Sequence, residues 1–191
     1  MLKPIDLLVG LKLLTSKKGW TQMGVAAELC LSSSQINLAI KQLLLANLFI
    51  MRHGKPYPIY AALKEFIIHG VPYCFPVKME KLSVGIPTAY AAKPLSNVIS
   101  LGNDPIPIWP YALGKSRGIV LEPLHKNVPK ALIDFPDENL YEILVLIDAL
   151  RVGRAREKNI AQKLLVTKLD KIFSNHLKVQ LIASDKNNIK G

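Results

Sequence analysis

The side chains whose types and spacing can do chemistry gather between Ser33 and Lys55. Ser34, Gln35, Asn37, Leu38, Lys41 and Gln42 share one face of a helix expected over about 33–47. The opposite face is a stripe of Ile36, Ile40, Leu43 and Leu44 at i, i+4, i+7 and i+8. Hydroxyls, carboxamides and a lone ammonium arranged this way reach base edges and phosphates in the DNA major groove. Ser33, Ser34, Gln35, Asn37 and Lys41 are therefore candidate DNA contacts. Arg52 and Lys55, from the basic segment Arg52-His53-Gly54-Lys55-Pro56, join them. That segment suits either a small hairpin whose cations touch the DNA backbone or a plain surface loop. Leu38 breaks the pattern, because an exposed base-reading position is more often polar.

A second basic cluster lies in LRVGRAREKN, where Arg151, Arg154, Arg156 and Lys158 face the single acid Glu157. Arginine meets two oxygens at once through its planar fork, so the cluster suits phosphate or an acidic partner. The alternatives are a solvated helix face, or pairing within the chain to Asp148, Glu142 or Glu138. Asp148 stands three residues before Arg151, within side-chain reach on a helix.

Catalytic constellations are scarce. His53, His69, His125 and His176 are scattered without an i, i+3 or i+4 ligand spacing. Neither GxSxG nor GxxxxGK[ST] occurs, so a nucleophile elbow and a phosphate-cradling loop lack their signatures. Acids cluster only over 134–148, at an expected helix start. The expectation is a protein that is not an enzyme and uses no cofactor or metal.

Several elements must position these residues. Pro4 suits the first turn of an opening helix, Ile5 to Leu14, with Ile5, Leu8, Leu11 and Leu14 along one face. Thr21 caps a short second helix bearing Val25, Ala26 and Leu29, and Cys30-Leu31-Ser32 makes a tight turn. Ser32 or Ser33 caps the third helix, Asn47 ends it, and Leu48–Met51 is strand-like. Ile59–His69 reads as a helix closed by Gly70 at C′, and Val71–Val77 as an extended segment or the second strand of a displaced hairpin.

Ten of the 13 prolines fall between Pro72 and Pro136, which favours short strands and turns there, with a helical turn near Pro94–Asn97. Asp137 and Glu138 open a further helix carrying Leu140, Ile143, Leu144, Ile147 and Leu150. Gly153 interrupts it, and another helix runs to about Phe173. The tail then holds a strand-like VQLIA (179–183) and a polar end that frays.

Composition narrows the classes. The chain has 191 residues, half of them apolar, and a formal charge of +11, which points to a polyanionic partner, nucleic acid first. Residues 1–100 carry 11 Lys/Arg against 4 Asp/Glu, and residues 101–191 carry 14 against 10, so the excess is heavier in the half holding the Ser33–Lys55 segment. Cys30 and Cys74 lack CxxC spacing and read as reduced, buried core thiols of a cytoplasmic protein. No signal peptide is evident, and no run approaches 18 uninterrupted apolar residues.

Ser32-Ser33-Ser34-Gln35-Ile36-Asn37, followed by Ile40, Leu43-Leu44 and Asn47-Leu48, resembles the recognition helix of bacterial winged-helix regulators of the MarR type. The whole chain also resembles a group of prokaryotic proteins that join such a module to GIPTAYAA (85–92), PIWPY (107–111) and DALRVGRAREKN (148–159). The resemblance implies a DNA-binding regulator and an antitoxin-like pairing with a neighbouring gene product. The expected architecture is α+β. A winged helix-turn-helix domain would span 1–76, and 77–191 would form a proline-rich β segment plus C-terminal helices. The expected function is sequence-specific binding of double-stranded DNA by a homodimer without membrane attachment. The alternative is an interaction module that grips an acidic protein.

Overall fold

A computed structural model describes residues 1–16, 19–100, 102 and 104–188, and its fold is α+β. It opens with three helices, α1 (Pro4–Thr15), α2 (Gln22–Glu28) and α3 (Ser33–Leu45). Pro4 starts α1, and the Asp6 carboxylate accepts the Lys3 backbone N–H at 2.7 Å, occupying a donor the first turn would leave bare. Leu8, Leu11 and Leu14 of the expected stripe are buried, but so are Leu7, Val9 and Leu13. A helix apolar on every side must be covered on every side, and α1 packs on α2 and α3 as well as on helices from the far end of the chain.

Capping sets the next boundaries. Thr21 Oγ1 accepts Gly24 N–H at 3.0 Å to start α2. Ser32 Oγ accepts Gln35 N–H at 3.2 Å while Gln35 Oε1 accepts Ser32 N–H at 2.9 Å, a reciprocal box that starts α3. Both helices end in the same way. After α2, Cys30 has φ 52°, and Leu31 N–H reaches back to Ala26 O at 2.8 Å. After α3, Asn47 has φ 54°, and Leu48 N–H reaches Leu43 O at 3.1 Å. These are Schellman closures with a left-handed C′ residue. Cys30 is thus half-buried in a turn and Cys74 is exposed, so neither is the core thiol its apolar context suggested.

The chain then doubles back. β1 (Phe49–Arg52) pairs antiparallel with β2 (Lys55–Pro58), Arg52 opposite Lys55. The two-residue loop His53–Gly54 has φ 47° and 72°, the positive pair that a type I′ turn demands and that matches strand twist. The basic segment is therefore a hairpin and not a loop.

The following stretch corrects two expectations. α4 (Tyr60–Glu65) does not stop at Gly70 but passes through a π-turn (Phe66–Gly70) into α5 (Val71–Cys74). Gly70 has φ −93°, so it is no left-handed cap; a Cβ there would lie 2.6 Å from the Phe66 ring, which rests on it. Val71 N–H bonds to Phe66 O five residues back, which carries the helix up to Pro72, a residue with no N–H to donate. Val71–Cys74 is accordingly helical and supplies no hairpin strand.

In the proline-rich middle, three strands close on one another: β3 (Met79–Pro87), β4 (Pro107–Pro110) and β5 (Ser116–Leu121). β3 runs antiparallel to both others, which pair parallel. So tight a closure needs missing side chains, and a Cβ on Gly85 would stand 1.9 Å from Trp109 O. A turn of 3₁₀ helix at Leu95–Asn97 falls where the sequence suggested one.

Three helices finish the chain: α6 (Val128–Asp134), α7 (Glu138–Val152) and α8 (Ala155–Asn188). The VQLIA run lies inside α8, so its strand propensity is overridden. Continuing a helix satisfies its backbone locally, whereas a strand needs a neighbour to pair with.

One apolar core runs from Leu7 to Leu169. A polar pin crosses it between α1 and α7: buried Lys12 Nζ meets Asp137 Oδ2 at 2.8 Å and Glu28 Oε2 at 2.6 Å, and Thr15 Oγ1 donates to Asp137 at 2.9 Å. Burial alone would raise the Asp137 carboxyl. Lys12, the Leu140 N–H it caps and Thr15 outweigh that and leave it below the ordinary aspartate range. Burial likewise opposes the Lys12 charge, but the two carboxylates hold it above an ordinary lysine. A carboxyl depressed on folding contributes stability above its unfolded pKa, which fades as pH falls through the folded value. Asp137→Asn keeps a good helix cap but loses the ion pair. It should cost roughly 1–3 kcal/mol in chemical denaturation near neutral pH, and the gap to the parent should shrink below about pH 4.

Candidate nucleic-acid interface

The residues of α3 divide cleanly. Ile36, Ala39, Ile40 and Leu43 are buried, whereas Ser33, Ser34, Gln35, Asn37, Leu38, Lys41 and Leu45 are exposed. At about 100° per residue, Ser34, Leu38, Lys41 and Leu45 fall along the midline of the exposed face. Asn37 lies on one shoulder and Gln35 on the other. Leu38 and Leu45 are 59% and 74% exposed. Leu45 escaped the sequence reading, although its seven-residue spacing from Leu38 places both on one line.

Gln35 has a different occupation from the one its polarity suggested. Its carboxamide oxygen accepts both Ser32 N–H, at 2.9 Å, and Ser32 Oγ–H, at 3.1 Å. A bidentate grip on adenine would have to break that box. Ser33, Ser34, Asn37 and Lys41 carry no such bond.

The hairpin places its cations directly. Arg52 and Lys55 face each other across the strand pair, and both are exposed together with His53. Lys55 Nζ also lies 5.6 Å over the Trp20 ring, which braces the hairpin against the segment leading into α2. Trp20 belongs with the site as a support, a role no local pattern reveals because the two residues are far apart in sequence.

The Arg151–Lys158 cluster does not act as one group. The Arg151 side chain is only 5% exposed. Its Nη1 meets Asp148 Oδ1 at 2.8 Å and Glu122 O at 3.1 Å, and its Nε donates to Phe75 O at 2.9 Å. Arg151 is therefore spent inside the fold and offers nothing to a phosphate. Of the three acids weighed as its partners, Asp148 takes it, while Glu142 pairs with Lys168 at 2.5 Å. Arg154, Arg156 and Lys158 are exposed at the start of α8. Arg154 approaches Asp104 at 4.0 Å with both side chains in solvent, a weak pair, and its backbone N–H is capped by Glu157 at 2.7 Å.

Asp148 is the most deeply buried acidic or basic side chain among the described residues. Its other oxygen accepts Trp109 Nε1–H at 2.6 Å and Thr88 Oγ1–H at 2.8 Å. Burial raises its carboxyl, and Arg151, Thr88 and Trp109 support the anion against that push. Beside it, burial lifts the Tyr141 hydroxyl to about 12, and that hydroxyl donates to Pro87 O at 2.8 Å. Among the described residues no buried side-chain polar atom lacks a partner, and no three His, Cys, Asp or Glu gather as metal ligands. No described helix is long and apolar enough to cross a membrane.

Two shallow grooves flank Pro110 on the three-stranded sheet, of about 510 and 530 Å³. Leu82, Val84 and Arg117 line one; Lys78, Lys81 and Glu122 line the other.

The serine box controls how the exposed face of α3 is presented. Ser32→Ala removes it and should cost about 1 kcal/mol, seen as a thermal midpoint lower by about 2–4 °C. No known family model, curated protein or solved structure matches the chain.

Proposed function

We propose that this protein is a sequence-specific, double-stranded DNA-binding transcriptional regulator of the cytoplasm, built on a winged helix-turn-helix. α3 is its recognition helix and the β1–β2 hairpin its wing. One observation carries the reading: the order α1-α2-α3-β1-β2 leaves one face of a capped helix bare beside a tight hairpin tipped with Arg52 and Lys55. In the helix-turn-helix mode the second helix enters the major groove and its N-terminal residues meet base edges. Here those residues are Ser33, Ser34, Asn37 and Lys41. The MarR-type resemblance of residues 32–48 agrees with this docking. A homodimer would set two such helices about 34 Å apart, one helical turn of DNA.

The test is binding of the full chain to a labelled fragment from upstream of its own gene, against scrambled DNA, over a salt series. Selective binding that weakens steeply with salt is expected, since contacts to phosphate release counterions. Arg52→Ala and Lys55→Ala should each weaken binding on both DNAs and lower the salt slope by about one. Asn37→Ala should cost affinity on the upstream fragment alone. Equal binding of both DNAs by the parent, or variants indistinguishable from it, would sink the reading.

A second reading draws on the sheet. Leu82 and Val84 are exposed beside Lys78, Lys81 and Arg117, a combination suited to an acidic protein partner of the antitoxin kind. A stoichiometric complex that survives the salt that strips DNA, and that Lys81→Glu abolishes, would favour it.

A further inference from the structure

The recognition face of α3 carries an apolar side chain at its middle, and that fixes what it can read. Leu38 stands four residues after Ser34 and three before Lys41, at the centre of the exposed face and 59% exposed. Its neighbours on the line towards the helix start are short. Ser34 ends in one hydroxyl, and Gln35, which is longer, is folded back onto Ser32. A helix laid in the major groove by its N-terminal half along this face therefore brings the Leu38 isobutyl group to the groove floor, with no long hydrogen-bonding side chain ahead of it on that side and Lys41 one turn behind. Of the groups that distinguish base pairs there, only the 5-methyl of thymine is apolar; the others are donors and acceptors that a leucine would desolvate without return.

We infer that Leu38 is a specificity-determining residue that reads thymine through its methyl group, so that each half-site holds an A·T pair beneath the second turn of α3. The inference rests on the DNA-reading function proposed above and names the chemistry of its substrate. Thymine is selected here by shape and desolvation, with Ser34 and Asn37 available for the flanking edges and Lys41 for phosphate. A corollary follows. The methyl of 5-methylcytosine projects into the major groove as thymine's does, so a G·5-methylcytosine pair at the same place should be bound better than G·C.

Duplexes selected from a random pool by the full-length protein provide the probe. Thymines in a selected duplex are replaced one at a time by uracil, which keeps every hydrogen-bonding group and removes only the methyl. One position per half-site should lose about fourfold in affinity, the factor one buried methyl group is worth. Cytosine at that position should bind less well than 5-methylcytosine. Leu38→Met should preserve the uracil penalty and Leu38→Ala should erase it; both changes are at an exposed site, so folding, checked by thermal melt, should match the parent. If no duplex is enriched, the DNA-reading function falls and the role of Leu38 with it. If a duplex is enriched but uracil is tolerated everywhere, or Leu38→Ala keeps the penalty, only the assignment of Leu38 is overturned.

Discussion

An aspartate only 2% exposed to solvent, Asp148, is the constraint around which the rest of the structure is arranged. Removing a carboxylate from water costs several kcal/mol unless donors replace the solvent, and Asp148 finds three of them on three different elements. Arg151 comes from one turn further along α7, Thr88 from the residue after β3, and Trp109 from β4. Arg151 then extends the network, because its remaining donors hold Phe75 O after α5 and Glu122 O after β5. The Arg151–Asp148 pair lies within α7, but the other bonds form only when α7 meets the closed sheet and the end of α5. The polar network therefore specifies one docking of the proline-rich middle on α7, where apolar packing alone would tolerate several.

The other end of α7 carries the second fixed point. Asp137 caps the helix and binds Lys12 of α1, and Lys12 also binds Glu28 of α2. Two helices of the N-terminal trio are thus tied to the C-terminal core through one buried ammonium. A further tie comes from Asn127, whose Nδ2 donates to Cys30 O at 2.6 Å in the turn between α2 and α3. The left-handed Cys30 conformation that aims α3 is held from outside its own module. The exposed face of α3 is therefore rigid by construction, its inner face packed, its start capped by Ser32 and the preceding turn anchored on α6. A binding surface built on rigid elements loses less entropy when it binds.

Much of this was legible in the sequence wherever the signal was local. The cap Thr21, a cap at Ser32 or Ser33 (Ser32 takes it), the C′ residue Asn47, the strand after it and the 3₁₀ turn near Pro94 all follow from residue type and spacing. The failures share a physical cause, which is partnership at long range. Gly70 looked like a helix end, but the Phe66 ring and a π-turn carried the helix past it. VQLIA has strand propensity, yet the continuing helix settled its backbone. Cys74 looked buried because its neighbours are apolar, and it is exposed. Arg151 sat in a run of cations and read equally well as surface or structure; only the folded chain shows the two carbonyls and the carboxylate that consume it. In the same way the sequence shows Gln35 as a polar residue on the correct face, while its geometry makes it part of a cap.

In the proposed DNA-reading role, the internal bonds of Arg151 and Gln35 narrow which residues could touch a duplex. With Arg151 internal and Gln35 occupied, α3 offers one cation and a few short polar groups, too little charge to hold a duplex through its phosphates. On the proposed DNA-reading function, affinity would come largely from Arg52 and Lys55, which stand opposite each other on a strand pair closed by a two-residue turn. Lys55 also lies over the Trp20 ring, a contact between the hairpin and the segment leading into α2. In that proposal, charge on the hairpin and shape on the helix would separate attraction from discrimination. A face with few cations would gain little from any duplex at random, so contacts that depend on the base under Leu38 would weigh more in the total. Lys41, the one cation of α3, lies on the midline beside Leu38, so in that proposal its reach to a phosphate would set how closely the helix approaches the groove floor.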